Sequence, residues 1–170
     1  MIKSVLFSKE ISDIFIKFES LIILCFMSNS YSIHHDFVIK ASVENVYDAI
    51  TNPKHLVNWW PLTCKGVAQV GEEYNFNFTD QYDWYGRVVK AEENKSFYIQ
   101  MTKSDEDWNP TSFGFDLIET SEDTQVQFWH KGWKTCNAEF RQSSFCWAML
   151  LNGLKNYIER DVIIPFEERE

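Results

Sequence analysis

Apolar side chains recur at every second position through the middle of the chain. Tyr74, Phe76 and Phe78 are spaced by two, and so are Phe113 and Phe115. Because alternate residues of a strand point to one face of its sheet, these positions predict a sheet with one broad aromatic face. Turn-rich segments separate the predicted strands, which cover residues 36–41, 73–79, 84–92, 96–102, 111–119 and 124–130. Their short spacing indicates an antiparallel meander.

Helical spacing of apolar residues predicts three helices. Ser42 is placed to cap a short helix over about residues 43–51, and Pro53 is placed to begin a second one. A long helix is predicted from Asn137 to about Arg160, and its Gly153 is expected to let the helix approach the sheet. The apolar stripe of this helix comprises Trp147, Leu150, Leu151, Leu154 and Ile158. The element order predicts an α+β helix-grip fold, in which a curved antiparallel sheet wraps around the C-terminal helix.

The first 27 residues differ from the rest of the chain. Residues 21–27 (LIILCFM) form an apolar run much shorter than the ~20 residues needed to span a bilayer. Glu10, Asp13 and Glu19 stand where a signal peptide would carry basic residues. We therefore interpret residues 1–27 as an N-terminal extension outside the natural domain, and residues 28–170 as one domain. The alternative is an amphipathic helix over residues 8–18 that packs on the fold.

Charge and composition narrow the class of protein. A length of 170 residues indicates one domain. A net charge of −9 and a pI of about 4.9 argue against binding to nucleic acid or to anionic membranes, since both would repel the protein. The four cysteines form no CxxC pair, which favours reduced thiols in a cytoplasmic protein. His34 and His35 are adjacent in a strand and point to opposite faces, so we expect no metal site. Phosphate-loop and common hydrolase motifs are lacking, and we expect no cofactor.

Two residues are candidates for chemistry. Gln125 and Gln127 should face water, which turns His130 inward, where a histidine can act as an acid or base near neutral pH. The alternative for His130 is a buried structural side chain. If Lys90 faces solvent, Arg87 shares the inner face and can bind a ligand carboxylate or enolate. The alternative for Arg87 is a position on the surface.

Several segments together resemble a known family. They are residues 37–39 (FVI), 46–53 (VYDAITNP), 59–61 (WWP), 71–74 (GEEY), 130–133 (HKGW) and 165–166 (PF). In this order they resemble the SRPBCC (START/Bet v 1-like) superfamily, and within it proteins related to the activator of the heat-shock protein 90 ATPase. The resemblance covers about Phe37 to Arg169. It implies a helix-grip fold with a hydrophobic ligand cavity between the sheet and the C-terminal helix.

On this resemblance we expect a nearly closed cavity for a small hydrophobic or aromatic ligand, used by a carrier or sensor. The expected ligand-binding residues are Trp60, Tyr74, Phe76, Phe78, Tyr85, Phe113, Phe115, Phe128, His130, Trp133, Trp147, Leu150 and Leu151. One alternative is a cyclase- or dehydratase-like enzyme that uses His130 with Arg87. Another is a chaperone partner that works through its outer surface, and a protein partner or homodimer fits any of the three.

Overall fold

The structure, a computed structural model, describes residues 30–169. Both interpretations of residues 1–27 therefore lie outside the described residues. Strand β1 (Tyr31–Ile39) opens the described part and begins five residues before the predicted start, at 31 instead of 36. None of the helices in the described part is long and apolar enough to cross a bilayer.

Seven antiparallel strands form one sheet. After β1 come β2 (Thr63–Lys65), β3 (Glu73–Asn77), β4 (Asp83–Glu92), β5 (Ser96–Lys103), β6 (Ser112–Glu119) and β7 (Thr124–Trp133). Their order across the sheet is β1-β7-β6-β5-β4-β3-β2. The strands from β2 to β7 form a meander, and β1 pairs with β7 as the edge strand. Strand β2 was not predicted, because its three residues are too few to show a period.

Three helices accompany the sheet within residues 30–169. The first two are α1 (Val43–Thr51) and α2 (Pro53–Leu56), and the side chains of Ser42 and Asn52 cap them. Helix α3 (Ala138–Arg160) is capped by Asn137, whose side chain accepts a hydrogen bond from the backbone N–H of Phe140 over 2.9 Å. A short 3-10 turn (Phe166–Glu168) follows α3. The predicted α+β helix-grip fold is confirmed.

The core lies between the concave sheet face and the helices. Trp147 of α3 is 1% exposed, and its ring centroid lies 4.5 Å from that of Phe128 on β7 and 5.6 Å from that of Phe113 on β6. Trp59, at the end of the short helices, donates its indole N–H to the carbonyl of Ala49 over 3.0 Å. The aromatic sheet face predicted from the period of two is therefore filled by interdigitating rings.

Strand β4 corrects one prediction. Val88 pairs with Ile99, but Lys90 pairs with Tyr98, so a bulge at Val89 shifts the register. At the bulge, two residues of β4 oppose one residue of β5. The residues before the bulge therefore point to the opposite face from the one that uninterrupted alternation predicts. Arg87 is consequently exposed on the outer face. Tyr85 also lies on that face, where Lys103 sits 4.8 Å from its ring centroid. The expectation that both residues point inward is wrong.

A second correction concerns Gly153. A Cβ built at this residue meets no heavy atom within 4 Å, apart from its own helix backbone and chain neighbours. The sequence suggests that Gly153 makes room for a close approach of α3 to the sheet. This expectation is wrong, because a side chain at this position would have free space. It lies beside a small groove formed with Asn58, Met149 and Ile164.

Candidate ligand-binding cleft

An open cleft of about 420 Å³ lies at one end of the aromatic core. Its walls are the β3–β4 hairpin, the loop after β5, the N-terminal half of α3 and the segment that follows α3. The lining residues are Trp60, Phe78, Thr79, Tyr82, Trp84, Asp105, Trp108, Glu139, Gln142, Ser143, Cys146, Trp147, Leu150, Phe166 and Arg169. The volume falls within the roughly 300–1,000 Å³ of known small-molecule sites.

Five aromatic side chains of this cleft form a closed cycle of ring contacts, which we call the aromatic ring cycle. Trp60 contacts Phe78 at 5.9 Å between centroids, and Phe78 contacts Trp84 at 5.1 Å. Trp84 contacts Trp108 at 4.8 Å, and Trp108 contacts Trp147 at 5.9 Å. The Trp147–Trp60 contact at 5.0 Å closes the cycle. These tilted and edge contacts fall in the favourable range for aromatic pairs, so each ring helps to hold its neighbours in place.

Hydrogen bonds attach the loop after β5 to helix α3. The indole N–H of Trp108 donates to Oγ of Ser143 over 3.2 Å, and the Asn137 side-chain amide donates to the Asp107 carboxylate over 2.9 Å. The loop residue Trp108 is only 7% exposed. It is thereby fixed as one wall of the cleft, although it lies in no helix or strand.

Charged groups stand at the mouth of the cleft. Asp105 and Glu139 contribute carboxylates that form no ion pair with any described residue. Arg169 is the one cationic side chain among the described lining residues. Its guanidinium donates to the carbonyl groups of Ile164 (2.8 Å), Val57 (3.0 Å), Trp60 (3.3 Å) and Pro61 (3.5 Å). Most of its donors are therefore used to fasten the end of the chain to the loop after α2.

Four of the predicted ligand-binding residues line the cleft: Trp60, Phe78, Trp147 and Leu150. Eight others lie in the packed core: Tyr74, Phe76, Phe113, Phe115, Phe128, His130, Trp133 and Leu151. Within the described residues, the expected closed cavity between sheet and helix is occupied by the rings themselves. The space available to a ligand lies beside that core and is open to solvent.

His130 is a buried member of a hydrogen-bonded chain. Its Nδ1 accepts the indole N–H of Trp147 over 2.9 Å, and its Nε2 lies 2.8 Å from Oγ1 of Thr111. Since the Thr111 hydroxyl donates to the carbonyl of Trp108, the histidine is a neutral imidazole with its proton on Nε2. Burial lowers the pKa of His130 to about 3. With both nitrogens engaged and no access to the cleft, His130 is placed for a structural role.

The sequence reasoning missed several cleft residues. From the sequence, either Trp84 or Trp108 is expected at most as a loop residue over the cavity, and neither is named as a ligand-binding residue. Trp84 belongs to the same strand whose bulge misled the assignment of Tyr85, and Trp108 lies in a loop that shows no period. Phe166 was associated only with the end of the fold. Its position after Pro165 and three residues before Arg169 carries no local signal for a binding site.

Metal binding receives no support from the described residues. They contain no cluster of three or more histidine, cysteine or acidic side chains that is able to hold an ion. His34 is exposed on β1, whereas His35 is half-buried and stacks on Phe128 at 6.3 Å. The adjacent histidines thus lie on opposite faces of the strand.

The fold and cleft define the class of the protein: a helix-grip domain of the SRPBCC type. The family model described as Activator of Hsp90 ATPase homolog 1-like protein matches residues 40–159. The chain belongs to this family. A search of curated proteins found no match.

Solved structures support the same assignment. The Aha1 dimer from Colwellia psychrerythraea is 29% identical, with a TM-score of 0.70 over 76% of this chain and 97% of that one. CalU16 from Micromonospora echinospora is 18% identical, with a TM-score of 0.65 over 82% of this chain and 83% of that one. DynU16, from the dynemicin biosynthetic locus, is 16% identical, with a TM-score of 0.65 over 76% of this chain and 48% of that one. The last two show a shared fold only.

Proposed function

We propose that this protein binds a small ligand with an apolar body in the cleft, as a carrier or sensor in the cytoplasm. The observation that carries the proposal is an accessible space of about 420 Å³ beside the aromatic ring cycle, where the half-buried rings of Phe78 and Trp84 form part of the lining. Flat rings held by one another offer a preformed apolar surface, so little ordering free energy is lost when a ligand enters. The reduced thiols of Cys64 and Cys136 suit a cytoplasmic location.

Catalysis fits the molecule less well. Arg87 lies on the outer sheet face, and the neutral imidazole of His130 is enclosed by Trp147 and Thr111. A general acid or base must reach its substrate within hydrogen-bond distance, directly or through one water. Neither candidate reaches the cleft, so we assign the cleft to binding.

The test is direct binding of a neutral hydrophobic dye, Nile red, followed by its own fluorescence and by tryptophan quenching. We expect one dye per chain. Leu150→Trp places a bulky ring in the cleft and should weaken binding at least about tenfold, since a filled site excludes the ligand. Ala148→Trp, on an exposed face of α3, is the matched control and should bind as the wild type does. If Leu150→Trp binds the dye as tightly as Ala148→Trp does, the proposal is contradicted. Mass spectrometry of lipids extracted from the purified protein would identify a retained ligand.

An exposed apolar patch favours a second function, a protein-partner role. Phe145 is 64% exposed and Met149 46% exposed, one turn apart on the outer face of α3. The family description and the dimeric Colwellia relative suggest either a chaperone ATPase or a second copy as the partner. Phe145→Ser should abolish stimulation of an Hsp90 ATPase, or dissociate a dimer seen by light scattering. If wild-type protein is monomeric and gives no stimulation, this second function is wrong.

A further inference from the structure

The polar groups of the cleft are unevenly distributed. Its interior is aromatic, and its mouth carries the carboxylates of Asp105 and Glu139, which have no cationic partner among residues 30–169. The guanidinium of Arg169 is turned to four backbone carbonyl groups instead. With two carboxylates and one guanidinium, the lining carries a formal charge of −1, which favours a positively charged ligand.

Aromatic faces favour the same sign of charge. The face of an indole or phenyl ring is electron-rich and attracts cations, and ammonium groups are commonly bound where several such rings converge. In this cleft the rings that keep exposed surface are Phe78 and Trp84 of the aromatic ring cycle, with Tyr82 and Phe166 beside them in the lining. The aromatic rings and the carboxylates of the cleft thus both favour a positively charged ligand, and they do so by separate interactions.

We infer that the ligand of this cleft is an organic cation, an amine or quaternary ammonium group attached to an apolar body. The inference rests on the proposed function, since it specifies the ligand of the same cleft. The apolar body packs on the aromatic ring cycle, and the ammonium group lies toward Asp105 and Glu139. A ligand carboxylate would meet these two like charges, and Arg169 supplies only one opposite charge and has few free donors for a direct hydrogen bond.

The surroundings of Asp105 agree with this assignment. Burial, and then the neighbouring Asp107, raise the pKa of Asp105. The ionised carboxylate is therefore held at a cost in free energy when the cleft is empty. A cation bound beside it recovers part of that cost, because opposite charges favour the ionised form.

Three probes with a common benzyl group test the sign of the charge. They are benzyltrimethylammonium, its uncharged isostere neopentylbenzene, in which carbon replaces nitrogen, and the anion phenylacetate. Tryptophan fluorescence of the full chain reports binding. We expect the ammonium probe to bind about tenfold more tightly than the isostere, and phenylacetate to bind more weakly than either. Equal binding of ammonium and isostere, or tighter binding of phenylacetate, would overturn the inference.

Matched variants locate the charge. Asp105→Asn and Glu139→Gln should each weaken ammonium binding by about three- to tenfold while leaving the isostere unchanged. Glu106→Gln removes a carboxylate from the same loop without touching the cleft and should change neither. If the three variants behave alike, the assignment of the ammonium group is wrong. If Nile red binds and no benzyl probe does, the cation inference fails while the proposed function stands; if no probe binds at all, the proposed function itself fails.

Discussion

The indole N–H of Trp147 donates a hydrogen bond to Nδ1 of His130 over 2.9 Å, joining the middle of α3 to the end of β7. Trp147 is 1% exposed and His130 is fully buried, so this bond lies in the interior. It sets the tautomer of the imidazole and fixes the ring of Trp147, which is almost fully buried but borders the cleft. The core and the candidate site are therefore connected through this pair.

Trp147→Ala should lower the free energy of unfolding by roughly 3–5 kcal/mol, because it leaves a large void among the rings. Trp147→Phe should fill much of that void but leave Nδ1 of His130 without its donor, at a cost of about 1–3 kcal/mol. Chemical denaturation measures both. A loss below about 1 kcal/mol for the alanine variant would show that the packing and the bond contribute little.

The buried His130 predicts that acid destabilises the fold. Burial lowers its pKa from the usual 6.5 to about 3, so between these values the unfolded chain binds a proton that the folded chain excludes. Stability from this group is complete above about pH 6.5. It is lost at up to about 1.4 kcal/mol per pH unit as the pH falls toward 3. Urea unfolding at several pH values measures this slope.

Two controls separate His130 from other titrating groups. His34→Gln changes an exposed histidine and should leave the slope unaltered, whereas His130→Gln should flatten it. An NMR titration of the wild-type imidazole serves if His130→Gln does not fold. His130 should remain neutral, protonated on Nε2, at pH 5. Titration of His130 itself near 6.5 in the folded protein would contradict the prediction.

The fold was predictable because its signals are local and repeated. Burial alternates along β3 and along most of β7, and helix α3 carries its apolar stripe from Trp147 to Ile158. A single extra residue at Val89 was enough to reverse the assignment of Arg87, because a bulge leaves no mark in the period of two. Sequence patterns therefore give the faces of regular strands but not of bulged ones.

The cleft was harder to predict than the fold. Period-two spacing shows that Phe76 and Phe113 face inward, but it does not distinguish a ring that packs against other rings from one that lines a space. That distinction depends on contacts between distant segments, such as Trp84 on β4 with Trp108 in the loop after β5. For the same reason, the blocking variant belongs at Leu150 and not at the fully packed Leu151.

Removal of residues 1–26 tests the proposed N-terminal extension. We expect the truncated chain, which begins at Met27, to unfold in one cooperative thermal transition, because the packed core described here is built from residues after Ser30. Circular dichroism during heating, together with Nile red binding, is the measurement. Loss of the transition would show that the N-terminal residues belong to the folded domain.

The last prediction compares Gly153 and Gly114, where substitution by alanine should change the free energy of unfolding in opposite directions. A Cβ at Gly153 in α3 meets no heavy atom within 4 Å beyond its own helix and chain neighbours, so Gly153→Ala gains helix propensity without a clash. Unfolding free energy should rise by about 1 kcal/mol. A Cβ at Gly114 on β6 would lie 2.5 Å from Tyr98 and 2.6 Å from Trp129, so Gly114→Ala should destabilise the sheet by roughly 1–3 kcal/mol.

Both glycine variants can be measured by the same denaturant titration. Neither residue contacts the cleft, so both variants should keep the wild-type affinity for Nile red wherever they remain folded. A destabilised Gly153→Ala would mean that α3 lies closer to its neighbours in solution than the structure places it. In that case the sequence-based expectation of a close approach at this glycine would be restored.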